Sequence, residues 1–496
     1  MATVAHSNKH DQDATPEKST PAPKRRGGRL MFFAALLVAL VALAPTIATR
    51  TPLRGACLAL ACRVAGVNGS VRADDLSLGW LSPISATQVE IDDPQGNPLL
   101  NLASLDCDKT LLDLLLRRSE LGHIRLGGVK AEVTFSDTGS NFKEVLNAWL
   151  QPNTSATRVT CDLEISDAQA AIHDTASKRD WLVEKIALRL TLPADPLPTP
   201  GEAPHDWLAR CTAKADLGWQ TASFHGFLVG QGQIEAQLAE GMIHVTPLDL
   251  PVSEGQVHLA PQLRLSPAPA ILTHDAGRVV ERVVLTPEMC NAGLKFALPF
   301  LAGVTEAQGR FSVDLADCKL PLSDLGAGDA AGRITIDSAE LGPGLLAREF
   351  GPVLETLRQV FKAGAADPLL AVKVARECPV DFRLVNGRIY HRGLVLEFPN
   401  ITVRTYGSVG LDETLAIMAE LTLPEPWTAN HPLGAALQAA PLRIPIGGTL
   451  KQPRIDSREV QKLAGRAVED AAQGVIHHEL GRELQQGLDH LFGPAR

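Results

Sequence analysis

Gly128-Val129-Lys130-Ala131-Glu132-Val133-Thr134-Phe135 places Val129, Ala131, Val133 and Phe135 on one side of an extended chain and Lys130, Glu132 and Thr134 on the other. A period of two marks a strand with one apolar and one wet face. The same period recurs over most of the chain. Gln88-Val89-Glu90-Ile91-Asp92 alternates, Leu163 and Ile165 alternate with Asp162, Glu164 and Ser166, and Ile186, Leu188, Leu190 and Leu192 alternate with Ala187, Arg189 and Thr191. Ile234, Ala236 and Leu238 continue the pattern, which reaches Ile444 and Ile446. Turn residues such as Asp93-Pro94-Gln95-Gly96-Asn97, Gly127-Gly128, Asn386-Gly387 and Pro399-Asn400 punctuate these runs at intervals of roughly ten residues, which predicts an antiparallel meander. The segment 193–204 holds five prolines and reads as a loop.

Helical spacing interrupts the strands at a few places. Leu111, Leu112, Leu114, Leu115 and Leu116 predict a helix over 109–118, and Phe142, Val145, Leu146 and Trp149 another over 141–150. Thr286-Pro287 is a cap followed by a first-turn proline, opening a helix through Leu294, Phe296 and Leu298. Leu346, Phe350, Val353, Leu354, Leu357, Val360 and Phe361 predict a helix over 345–363, with a short one following from Asp367. At the end of the chain Val460, Ala464, Ala467, Ala471, Val475, Leu480, Leu484, Leu488 and Leu491 form one stripe of an amphipathic helix, which suits packing on the sheet as well as a partner or membrane contact.

The amino-terminal region has a different texture. Residues 1–29 are polar and poor in large apolar side chains, the composition of a disordered tail. An apolar run, 30–48, follows; as a helix at about 1.5 Å per residue it extends roughly 28 Å, enough to cross a hydrocarbon core. Lys9, Lys18, Lys24, Arg25, Arg26 and Arg29 precede it and only Arg50, Arg54 and Arg63 follow closely, so the positive-inside rule puts the amino terminus in the cytoplasm. A retained anchor is preferred over a cleaved signal, because cleavage after Ala42-Leu43-Ala44 would leave Pro45 as the first mature residue. The residues after it, 53–67, suit a helix that continues from the membrane, lies at its surface, or is buried.

Composition narrows the function classes. The 496 residues carry a formal net charge of -9, and no basic stripe exists outside the amino-terminal tail, which argues against a nucleic-acid partner. Eight cysteines are scattered without a C-x-x-C pair, so no zinc pattern is present and buried thiols are expected for most of them. His477-His478-Glu479 sets two histidines side by side, whereas a zincin helix needs them one turn apart. Gly326-Ala327-Gly328-Asp329-Ala330-Ala331-Gly332-Arg333 leads into a strand and lacks the lysine and hydroxyl of a phosphate loop. Asp314 and Asp317 fit the wet face of a strand. No catalytic residue, cofactor or metal ligand is expected.

Two regions resemble a known family. Gly69-Ser70-Val71-Arg72-Ala73-Asp74-Asp75-Leu76-Ser77-Leu78-Gly79-Trp80-Leu81-Ser82-Pro83, with Val89 to Gly96, Leu111 to Leu116, Gly122-His123-Ile124 and Ser140-Asn141-Phe142, is similar to the amino-terminal module of AsmA-like and TamB-like envelope proteins. Gly407-Ser408-Val409-Gly410-Leu411-Asp412, Glu420-Leu421-Thr422-Leu423-Pro424 and Ile446-Gly447-Gly448-Thr449-Leu450-Lys451-Gln452-Pro453-Arg454-Ile455 resemble the carboxy-terminal region of the same family. The likeness covers about half the chain. It implies an inner-membrane anchor, a body in the periplasm, and elongated, curved antiparallel sheets forming an apolar groove that handles phospholipid.

The expected organisation is thus mainly β with interspersed helices. It comprises a cytoplasmic tail 1–29, a transmembrane helix 30–48, an amino-terminal module 51–150 and a central β region 151–285. A β region with helices, 286–375, a carboxy-terminal β region, 376–455, and the amphipathic helix 456–496 follow. Inward strand positions, among them Val89, Ile91, Val133 and Phe135, are the expected lipid contacts, and the carboxy-terminal helix is the expected contact for an envelope protein partner. The alternative is a scaffold whose sheets close on each other with their apolar faces packed solid. A central region, 161–285, with the weakest likeness leaves the continuity of the groove open.

Overall fold

The computed structural model describes chiefly residues 54–65, 67–117, 120–136, 139–145, 160–175, 179–193, 204–224, 226–360, 372–398, 401–422 and 441–455. The predicted tail, most of the 30–48 run, the short helix from Asp367, the Pro399-Asn400 turn and nearly all of the 456–496 helix lie outside the described residues. Among the described residues no helix is long and apolar enough to cross a membrane.

After helix α1 (Arg54–Ala65) the chain forms β1 (Ser70–Ser77), β2 (Pro83–Asp92), β3 (Pro98–Thr110), β4 (Glu120–Ser136), a stub β5 (Gly139–Ser140), β6 (Thr160–Asp174) and β7 (Arg179–Leu192). Shorter segments follow: β8 (Ala213–Trp219), β9 (Thr221–Phe224), β10 (Phe227–Val229), β11 (Gly232–Ala239), β12 (Met242–Val245), β13 (Leu248–Val252), β14 (Gly255–Leu259), β15 (Pro261–Arg264), β16 (Ile271–His274) and β17 (Gly277–Val284). The last third holds β18 (Ala307–Pro321), β19 (Asp329–Leu341), helix α2 (Leu345–Val360), β20 (Val372–Val374), β21 (Cys378–Val385), β22 (Arg388–Phe398), β23 (Ile401–Gly410), β24 (Leu415–Thr422), β25 (Leu442–Gly448) and the stub β26 (Pro453–Arg454). All 26 join in one sheet.

The 26 segments make fewer ranks than their number suggests. β8 and β9 both pair with β7, β11 continues from β8 as β10 does from β9, and the two tracks run side by side until β16 and β17 meet again on β18. β20 and β21 likewise lie end to end against β19. Six pairs of segments therefore share a rank, and with the two stubs set aside the sheet is 18 ranks deep. At about 4.8 Å per rank it extends roughly 80 Å.

Among the described residues neighbours are antiparallel with one exception that corrects the meander: β4 and β6 run parallel, Glu120 beside Thr160 and Phe135 beside Asp174. Local alternation specifies a strand but not its partner, and the long connection 137–159 is ample for the return that a parallel pair needs. Gly127-Gly128 is likewise no turn, because β4 runs straight through it.

One long edge of the sheet, the first rim, carries the start of β4, the end of β7 and the β21–β22 and β23–β24 turns. The opposite, second rim carries the end of β4, the β9–β10 turn and the end of β17. The predicted Thr286-Pro287 helix exists: Thr286 Oγ1 accepts from the Met289 amide at 3.3 Å, and helical turns continue to Leu301. This helical insert, 287–301, joins β17 to β18, and α2 joins β19 to β20. The core sits beneath these two elements, where Val283, Ile336, Phe350, Leu357, Leu396, Val403 and Ile444 are fully buried.

Candidate functional site: a creased apolar face

Registered strand pairs align the apolar positions into ladders that cross many ranks. Leu76, Ala86, Leu105, Leu126, Ile165, Leu188, Leu217 and Ile234 are successive cross-strand partners from β1 to β11. A second ladder links Val71, Ile91, Leu100, Ala131, Ala170, Val183, Ala222, Val229 and Val252. The ladders end at Ile234 and Val252, and the strand pairing continues from there to β17, so the sheet is continuous through the central region.

Between the two ladders every strand changes phase. Ala73 and Leu76, Ala86 and Val89, Leu102 and Leu105, Leu126 and Val129, Ile165 and Ala168, and Val183 and Ile186 are each three residues apart. In a regular strand residues three apart point to opposite faces. Here seven of them, Ala73, Leu76, Ala86, Val89, Leu102, Val129 and Ala168, pack into one cluster. Left-handed residues at the phase change, Gln88 (φ 48), Gly128 (φ 60), Asp167 (φ 53) and Lys185 (φ 51), provide the extra twist of a bulge. From β8 onward the crease becomes an outright break, at Gln220, 230–231, 246–247, Ala260 and 275–276. Both halves of each strand thereby present their apolar residues to the same side of a bent sheet.

The opposite side is wet. Arg72 meets Asp92 at 2.8 Å, Arg189 meets Glu164 at 3.3 Å, Arg278 meets Asp314 at 2.9 Å, and Arg333 meets Asp381 at 2.7 Å. Asp314 thus serves a cross-strand ion pair. His258 bridges Asp249 (2.6 Å) and Glu281 (3.5 Å), and the hydrogen bond to Asp249 raises its pKa above the ordinary histidine value.

The four positions singled out in the sequence share the apolar side. Val89 faces Leu102, Ile91 faces Leu100, and Val133 faces Ile172. Val89 is buried, Ile91 and Val133 are half-buried, and Phe135 at the end of β4 is 42% exposed. Alternation also marks Ile165, Leu188 and Ile234 as apolar strand positions, while Leu126 and Leu217 emerge only from the register, which brings all five into line. At the second rim Trp181 and Phe224 add an aromatic pair with ring centroids 5.2 Å apart, and Phe224 is 49% exposed.

Helix α1 meets this face at the edge strand. Leu58 packs on the Ala73–Leu76 cluster, and Arg54 donates to the Asp74 carbonyl. The segment that follows the 30–48 run is thus fastened to the first rank of the sheet.

From β13 onward the same side is filled, with Leu250, Val252 and Val283 buried. The insert crosses it with Met289, Cys290, Leu298, Phe300 and Leu301 buried, and α2 adds Leu346, Phe350, Val353 and Leu357. Phe350 stands 5.8 Å from Phe300 and 6.0 Å from Phe398. Within this core His391 is wholly buried; its Nε2 lies 3.2 Å from Thr405 Oγ1, its Nδ1 has no hydrogen-bond partner, and burial pushes its pKa down to about 3. Cys107, Cys290 and Cys378 are buried thiols, and burial raises the last two, Cys290 to about 12. Among the described residues no three His, Cys, Asp or Glu side chains stand together as a metal site; His477-His478-Glu479 lies outside those residues. Comparison with protein-family models and with curated proteins gives no match, so the functional reading rests on this geometry.

Proposed function

We propose that the protein is a membrane-anchored, AsmA-like lipid-handling protein whose creased apolar face accommodates phospholipid acyl chains. The observation that carries this reading is the pair of apolar ladders, each unbroken over at least eight strands, on the side of the sheet that α1 joins to the 30–48 run. Soluble monomers rarely present a contiguous apolar face of that extent without an occupant. Acyl chains suit it better than a compact apolar ligand, because the surface is long, aliphatic and lacks directed polar groups along the ladders. The reading places the anchor in the inner membrane, the amino terminus in the cytoplasm and the sheet in the periplasm, with the first rank nearest the bilayer and no chemistry performed on the lipid.

The solid core between β18 and β25 favours a scaffolding role for that part of the chain, alongside a lipid role for the rest. Mass spectrometry of the full chain extracted in mild detergent tests the lipid reading. Stoichiometric phospholipid, exchangeable for a labelled one, is expected; a lipid-free protein that accepts no labelled phospholipid contradicts it.

A further inference from the structure

We infer that the helical insert 287–301 and the core it covers are a fixed stop that ends the groove, so that acyl chains are held along the ranks from β1 to β11 and are not passed on to β25. This inference rests on the lipid reading above.

The insert makes contacts at both rims. It leaves the second rim at Leu285, where Gly226 of the β9–β10 turn approaches so closely that a β-carbon there would stand 2.6 Å from Glu288 Cβ. Lys295 then reaches the first rim, where its Nζ bonds Glu413 of the β23–β24 turn at 2.7 Å. The chain returns to the second rim, and Gly303 packs beneath Leu345 at the start of α2. The insert is therefore pinned at both rims and not draped over one.

What stands on its two sides differs. Beyond it Ile336, Leu396 and Val403 are fully enclosed by the insert and α2. A close-packed interior has no void for an alkyl chain. Before it the ladder positions Leu105, Leu126, Ile165, Leu188 and Leu217 are only partly buried. Asn291 stiffens the stop from within: its side-chain amide donates to the carbonyls of Pro287 (2.8 Å) and Val304 (3.1 Å), and its oxygen accepts from the Gly303 amide (2.7 Å). The two ends of the insert are thereby clamped together. Leu250, Val252 and Val283 on β13 and β17 already belong to the buried core, so the partly buried stretch covers the first eight ranks, β1 to β11, and is about 40 Å long, a store of finite capacity.

The test uses the full chain in phospholipid vesicles containing a radiolabelled phosphatidylethanolamine. Photoreactive benzoylphenylalanine is installed in place of Phe135 or Phe224 before the stop, and in place of Phe382 or Phe398 beyond it; near-ultraviolet circular dichroism checks each fold, and the half-buried Phe382 serves if the Phe398 variant does not fold. Labelled adducts are expected at 135 and 224, with at least tenfold less label at 382 and 398. Equal labelling on both sides overturns the stop and leaves the lipid reading intact. Absence of label at every position overturns both.

Discussion

Lys295 and Glu413, one in the insert and one in the β23–β24 turn, form a 2.7 Å ion pair with both side chains about four-fifths buried. The pair fixes the far side of the helix that separates the half-buried apolar ladders from the solid core. Its partners also set its pH range. The hydrogen bond from Lys295 holds the Glu413 carboxyl below its usual value, with Lys451 at 3.4 Å adding to the effect. A carboxylate with a lowered folded pKa contributes stability that is present above the unfolded value of 4.5 and lost as pH falls through the folded one.

Lys295→Met should therefore destabilise the protein by about 1–3 kcal/mol at neutral pH, because it leaves a largely buried carboxylate without its cation. Lys373→Met, which removes the exposed Lys373–Glu340 pair, should change stability by less than about 1 kcal/mol. Urea denaturation of both variants checks this, and the difference between them should vanish in the Glu413→Gln background.

His391 makes stability depend on pH in another window. Its folded pKa of about 3 lies below the ordinary 6.5, so between those values the unfolded chain binds the proton and the native one does not. Stability should fall as pH drops from 6.5 toward 3. In His391→Leu that part of the slope should flatten, as measured by denaturation midpoints across the range. An unchanged slope would assign the acid sensitivity to the carboxylates.

The crease makes a backbone prediction. Lys185 holds φ 51 at the phase change of β7, a conformation that disfavours a side chain by about 1–2 kcal/mol. Lys185→Gly should be neutral or stabilising, while Ala187→Gly, two residues away in regular strand, should destabilise by about 0.5–1 kcal/mol. Gly128→Val should destabilise by more than either, since φ is 60 and a β-carbon there would lie 2.7 Å from Ala103 Cβ.

Phe350→Ala should destabilise by about 3–5 kcal/mol, because its fully buried ring bridges Phe300 of the insert and Phe398 of β22. Calorimetry on the full chain measures it.

Much of the strand content was legible because each half-strand keeps its own period of two. The run from Val129 to Phe135 begins immediately after Gly128, and the run from Ile186 to Leu192 immediately after Lys185. The crease itself was visible only as gaps, such as Ile165 to Ala168, in which a polar residue in left-handed conformation looks like any exposed strand position. Gly127-Gly128 was read as a turn for that reason. The parallel β4–β6 pair and the shared ranks were not legible, since periodicity says which face a residue takes and nothing about which strand lies beside it. Thr286-Pro287 carried a cap signal and the helix predicted over 345–363 a spacing signal, and both helices are present, the second over Leu345–Val360; that the former reaches the first rim depended on Lys295 meeting Glu413, which are distant in sequence. Val89, Ile91, Val133 and Phe135 lie on the ladder side, from the crease at Val89 to the second rim at Phe135.

The ladder side of the sheet is the proposed acyl-chain site. Binding of a fluorescent phospholipid to the full chain should be measured for Leu188→Glu, on the ladder, and for Thr191→Glu, on the wet side of the same strand. A carboxylate in an acyl-chain site should weaken binding by at least roughly tenfold in the first while leaving the second near wild type. Equal affinity for the two variants, with both folded, would contradict the claim.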